Sequence, residues 1–161
     1  MTWELIEQID LAAPASSIVL DEGLDGYAFY RLTVYVANDA NSKSVFLRFN
    51  NDSGANYAQQ YVLAASTTVS GARVTGQSQL ALQGATLAAS EEASLVALIA
   101  KPSATQPAQV VLQSGVNASP ALALAGGEWD NVADLISRID VLASSNNLAA
   151  GTSLMLEGLA A

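Results

Sequence analysis

The sequence predicts an all-β protein, an antiparallel β-sandwich, and three observations carry that reading. Short runs rich in β-branched and aromatic residues alternate with a period of two. Gly, Pro, Asn, Ser and Asp separate these runs at short intervals, too short for the helical crossovers of βαβ units. The last run, "TSLMLEG", lies close to the C-terminus, which predicts a final strand closing a sheet against an early one.

The elements follow in chain order. In "WELIEQIDL", Trp3, Leu5, Ile9 and Leu11 share a period-two face, which favours a strand over a helix. "SSIVLDE" is a second strand. In "YAFYRLTVYVAND", Tyr30, Leu32, Val34 and Val36 form one face, and Phe29, Arg31, Thr33 and Tyr35 the other. "NDANSK" then reads as a polar hairpin loop leading into "SVFLRFN", where Val45, Leu47 and Phe49 oppose Phe46, Arg48 and Asn50. "NNDSGAN" connects this strand to "YAQQYVL". Residues 66–90 are rich in Ala, Thr, Ser and Gly, and read as a long, weakly packed excursion that either carries partner contacts or is a plain surface loop. "GQSQLALQG", "ASLVALIAK" and "AQVVLQSG" complete the middle of the chain, with "SATQPAQ" and "SGVNASP" as loops. "WDNVADLISRIDVLASSNN" fits two templates. Val132, Leu135, Ile136, Ile139 and Leu142 fall at helical spacing behind a weak Asn131/Asp134 cap, whereas Ile139 and Val141 alternate with Arg138 and Asp140. A strand is favoured over "LISRIDVLA", because its neighbours are strands.

Composition bounds the function. The chain has 161 residues, 51% of them hydrophobic, which suits one domain with a substantial core. Charged residues make up 13%, about half the usual share, so the surface is largely neutral, as in proteins that bury surface in assemblies. A net charge of −9 argues against nucleic acid and against anionic membranes. No apolar run approaches the length of a membrane span. There is no cysteine and no histidine, which removes thiolate metal sites, the commonest general base, and every Ser-His or Cys-His arrangement. The acidic start "MTWELIEQIDL" has no basic region of the kind that opens a secretory signal. These features predict a soluble protein made inside a cell and not exported by a cleaved signal.

The residues offering chemistry are few. Asn50, Asn51, Asp52, Ser53 and Asn56 present hard oxygen atoms, but only one is a carboxylate and the spacing is not that of an EF-hand. A turn explains them better, since Asn and Asp bond their own backbone and Gly54 tolerates unusual dihedrals. Asp21/Glu22, Glu91/Glu92 and Glu128/Asp130 are paired carboxylates in loop contexts, where solvated acids are the rule. Gly126-Gly127 lacks the lysine of a phosphate loop. No catalytic residue, cofactor or metal is predicted, and the chain is read as a non-enzyme. The candidate contact surface is Asn50, Asn51, Asp52, Asn56, Tyr57 and Trp129, with Trp129 placed in a polar turn after "AGGE". The alternative is that the aromatics fill the core, as large aromatics usually do.

Three stretches carry a resemblance: "GLDGYAFYRLTVYV", "LRFNNDSGANYAQQY" and "ISRIDVLASSNNLAAGTSLMLEGL". Together they resemble small structural proteins of tailed-bacteriophage virions, in which a Tyr-rich strand precedes an "R-F/L-N-x-D-S/T-G-x-N-Y" turn. The matching positions are Arg48, Phe49, Asn50, Asp52, Ser53, Gly54, Asn56 and Tyr57, and at the C-terminus Gly151, Ser153, Leu154, Leu156 and Gly158. Glu157 departs from the pattern, which has a Tyr there. The resemblance covers both ends and the first third of the chain.

It implies a jelly-roll-like β-sandwich, made in the host cytoplasm and carried on the virion as a capsid decoration protein. In that role the partners are other virion proteins (the major capsid protein or a tail component) and further copies of the chain, a homotrimer at three-fold points being favoured. The contact segments expected are an N-terminal arm, residues 1–11, and residues 66–90. The alternative is a tail or fibre domain that binds a host-surface glycan or receptor. A glycan binder should expose two or more aromatics on one concave face among polar neighbours. A decoration protein should bury its aromatics and present an apolar, weakly charged interface.

Overall fold

A computed structural model describes residues 2–38, 42–82, 86–89, 91–117 and 120–160. Among them twelve strands form and no helix. The first half holds β1 (Glu4–Asp10), β2 (Ser17–Leu20), β3 (Tyr27–Val36), β4 (Val45–Phe49), β5 (Tyr57–Ala65) and β6 (Thr68–Gln77). The second holds β7 (Leu80–Ala81), β8 (Ala93–Ala100), β9 (Ala108–Val116), β10 (Ala121–Trp129), β11 (Ile139–Ala143) and β12 (Ser153–Ala160).

Two antiparallel sheets result, an eight-stranded one in the order β1-β12-β3-β8-β9-β10-β5-β6 and a four-stranded one in the order β2-β11-β4-β7. This is the β-sandwich that the period-two runs predict. The C-terminal strand β12 lies between β1 and β3, closing the sheet against early strands as expected. Four antiparallel pairs are nested along the chain: β1 with β12 and β3 with β8 in the large sheet, β2 with β11 and β4 with β7 in the small one. The hairpins β9–β10 and β5–β6 extend the large sheet beyond this nest.

Alternation places the core. Tyr30, Leu32, Val34 and Val36 of β3 are buried, and Phe29 and Tyr35 face out. Val45, Leu47 and Phe49 of β4 are buried, and so are Leu95, Ala97 and Ile99 of β8. One apolar cluster joins both sheets and runs from Ile18 to Leu156. Each fully buried Leu, Val or Phe in it is worth about 1.5–3 kcal/mol against an exposed one.

Several expectations need correction. Residues 4–10 form the strand expected of them, paired with β12 at the edge of the large sheet, so the N-terminal arm is built into that sheet from Glu4 on. A bulge between Leu5 and Glu7 breaks the period-two face of this strand: Leu5 is exposed, while Ile6 and Ile9 pack on the core. "NDANSK" does not close a hairpin, because β3 and β4 lie in different sheets; its residues 39–41 lie outside the described residues. The stretch 66–90 is not a loop throughout, since β6 is a ten-residue edge strand; its residues 83–85 and 90 lie outside the described residues. "GQSQLALQG" is split: its first two residues end β6, and the two-residue β7 follows. In the ambiguous segment the strand prevails but is shorter than expected, and Asn131 and Asp134 form a side-chain-capped turn with no helix behind it.

The strand β10, "ALALAGGEW", was not predicted. Alanine and glycine have poor strand propensity, and here tertiary packing overrides it. Ala123 and Ala125 are buried, and a Cβ on Gly127 would stand 2.9 Å from Leu80, so small residues let the sheets approach.

Candidate functional site

The "NNDSGAN" segment joins β4 in the small sheet to β5 in the large one. Asn50 and Asn51 have φ of 51° and 53°, and the Asp52 amide donates to the Phe49 carbonyl at 2.8 Å. Two left-handed central residues and that bond are the signature of a primed turn, which Asn accommodates at low cost. Asn50 does more than turn the chain. Its Oδ1 accepts from the amides of Ser137 (2.9 Å) and Arg138 (3.1 Å), and its Nδ2 donates to the Leu135 carbonyl at 2.8 Å. It therefore anchors the irregular segment that leads into β11.

Asp52 is the hub of the turn. Its Oδ1 accepts from the Gly54 amide at 2.8 Å; its Oδ2 accepts from Asn56 at 2.8 Å and from the Trp129 indole at 2.7 Å. Burial alone would raise this carboxyl, but those three donors, with the charge of Arg48, hold it below its ordinary value. Beneath it lies an aromatic cluster. The Phe49 ring stands 5.5 Å from Trp129 and 6.4 Å from Tyr57, and the Tyr57 hydroxyl bonds both backbone groups of Phe49. The Lys101 ammonium sits 5.5 Å from the Trp129 ring centroid and donates to the carbonyls of Ala104, Gln106 and Asn131. Burial lowers its pKa, and Asp134 opposes that shift.

The six residues taken as a contact surface therefore separate. Trp129 and Tyr57 are buried, at 0% and 1% exposure, so Trp129 ends β10 inside the core and does not sit in a polar turn. Asn50 and Asp52 are committed to internal bonds. Asn51 and Asn56 are exposed, and Asn56 is tied to Asp52. The turn ties the two sheets together through Asn50 and Asp52, while residues 51 and 53–56 stay exposed. Of the carboxylate pairs, Asp21 and Glu22 are exposed, Glu91 accepts from the Ala88 amide, and Glu92 accepts from Asn117. No group of three or more potential metal ligands forms among the described residues.

The structure places the open surface elsewhere, on the outer face of the eight-stranded sheet. Val62, Val96, Leu98, Val111, Leu122 and Leu124 all point outward there, each 40–64% exposed. Pairing puts Leu98 opposite Val111 and Leu124 opposite Val62, so they adjoin. Gly126 leaves a shallow hollow among Gln60, Val62, Val111 and Leu124; a Cβ there would meet nothing within 4 Å. A second hollow is lined by Trp3, Phe29, Leu98, Val111 and Leu159, with Trp3 stacked under the Arg31 guanidinium at 5.1 Å. Charge is scarce across this half of the chain: from 53 to 127 the acids are Glu91 and Glu92 alone, and Glu128 follows on β10 beside Gly126. The signal for this face was present in "ASLVALIAK", which is apolar on both faces, as are strands covered on both sides.

No protein-family model matches the chain, and no curated protein matches it.

Proposed function

We propose that the chain is a structural protein of a tailed-phage virion, a capsid decoration protein that docks on the head shell through the outer face of its large sheet. The observation that carries this reading is that face: across β8, β9, β10 and β5 it is largely apolar with glutamines between, and Glu128 is the one acid of those strands. Exposed apolar patches of this kind mark interaction surfaces, and a weakly charged one docks without stripping water from ions. The nested strand pairing supports the jelly-roll wiring that the resemblance implies, with β5–β6 and β9–β10 as inserted hairpins. Binding then acts by linkage, stabilising whichever form of the shell displays the complementary lattice.

The distribution of aromatics favours this reading over a glycan-binding fibre domain. Phe49, Tyr57 and Trp129 are buried with Tyr30. Trp3 and Phe29 do share a hollow, but most of its lining, Leu98, Val111 and Leu159 included, is apolar, and its polar side chains are confined to Gln109 and the Arg31 over Trp3. The test is co-sedimentation with tail-free phage heads, together with the heat resistance of the heads. Decoration predicts saturable binding and a raised disruption temperature. Binding to surface polysaccharide without binding to heads would transfer the protein to the fibre.

A further inference from the structure

The edges of the two sheets are not equivalent. β1 carries Glu4, Glu7 and Asp10 and a bulge, devices that stop an edge from pairing. Glu7 is also crowded: its pKa is raised by burial and by the charges of Glu22 and Asp21. The small sheet ends on β2 (four residues) and β7 (two residues), both short. Gln59 also crosses from the large sheet to bond the Ala81 amide and carbonyl of β7, at 2.9 and 2.8 Å.

The remaining edge, β6, has little such protection. It runs Thr68–Gln77 with no proline, acid or lysine, and its only bulge lies at its far end, beside Gly76 with φ 64°. Residues 68–73 are exposed on both faces of the strand.

Charge indicates what covers this edge. The chain is at −9, so two copies repel over most of their surface. From 53 to 90 there is no acid at all and a single base, Arg73. The other five basic groups are each bonded to partners within the same molecule. Arg31 bonds Glu157, Arg138 bonds Asp140, Lys43 the Asn147 carbonyl, Arg48 Gln79 and Ser78, and Lys101 three carbonyls. The β6 edge is thus where a second copy can approach without bringing acids together.

We infer that β6 pairs with β6 of a second copy, antiparallel about a two-fold axis, joining the two large sheets edge to edge. The bulge-free stretch 68–74 is centred on Gly71, and the register about that centre sets Ser70 opposite Ala72 of the other copy and Arg73 opposite Val69. No two arginines then face each other. This two-fold replaces the three-fold expected from the resemblance, and it stands apart from the virion reading: a dimer that ignores phage heads leaves it intact.

The test is solution mass by light scattering over a range of concentrations, with amide exchange as the local readout. The expected result is a concentration-dependent dimer of the 16.6 kDa chain, with amides of 68–74 protected more strongly as dimer forms. The double variant S70E/A72E sets like charges across the axis at positions exposed in the monomer, and is expected to give monomer with unchanged circular dichroism. S70K/A72E sets opposite charges across the same axis, and is expected to restore the dimer, increasingly so at low salt. A monomer at every concentration, a trimer, or a dimer indifferent to S70E/A72E would each overturn the inference.

Discussion

Asp52 and Trp129 show how one short motif supports the sandwich. Replacing Asp52 by Ala leaves the buried indole N–H without an acceptor, which costs about 1–3 kcal/mol and is measurable as a shift in the urea midpoint. Because the folded protein holds the Asp52 carboxyl below its ordinary value, it binds that proton more weakly than the unfolded chain does. The resulting stability is complete above the unfolded pKa, at about pH 4, and is lost as pH falls through the lower folded value. Glu157, lowered by its hydrogen bond and ion pair with Arg31, contributes in the same direction. Asp52→Asn should flatten the acid limb of the stability–pH curve, and an unchanged limb would assign that limb to other carboxylates. Asp52 and Asn56 are legible in the sequence as turn residues. That Asp52 reaches Trp129, 77 positions away, is not, because nothing local encodes which indole folds over the turn.

Glycines divide by what surrounds them. A Cβ on Gly158 would lie 2.4 Å from the Tyr27 ring, at the start of β3, and 2.8 Å from Ile6, at the bulge of β1. Gly158→Ala should therefore destabilise by roughly 1–3 kcal/mol through overpacking, whereas Gly126→Ala, in open space, should leave the melting temperature unchanged or slightly raised.

At the scale of elements, the strand–turn pattern was readable wherever side chains alternate cleanly, as in β3, β4, β8, β9 and β12. It failed where the partner strand, not the sequence, makes the strand. β10 is built from Ala and Gly because the sheets approach closely there, and β6 is a strand because β5 offers it a ladder. The bulge in β1 was equally invisible, since one extra residue flips the faces of everything before it. The link between β4 and β11 depends on Asn50. Asn50→Gly keeps the left-handed turn but removes the four side-chain bonds to 135–138, and should cost roughly 1–3 kcal/mol with faster amide exchange in that segment. Asn51→Gly, at the exposed position beside it, should be neutral, so the pair separates anchoring from turn geometry.

At the scale of the whole molecule, the sandwich buries one face of its large sheet and leaves the other apolar and open. Composition foreshadowed this, since a chain with 13% charged residues cannot cover itself in charge. The location of the open face was not legible, because it depends on the order in which eight strands assemble. The candidate surface chosen from the Asn-rich motif fell largely on internal contacts, for a related reason: polar turn residues serve equally well to bind a partner or to bind the neighbouring sheet. The contact surface proposed instead is made of ordinary Val and Leu residues whose significance is positional.

The most direct measurement is co-sedimentation with tail-free phage heads of the unaltered protein beside the double variant L98E/L124E, which alters two outward side chains 47% and 52% exposed. The unaltered protein is expected to pellet with heads in saturable amount while the folded variant stays in the supernatant. An unaltered protein that never pellets, or a variant that pellets equally well, would contradict it.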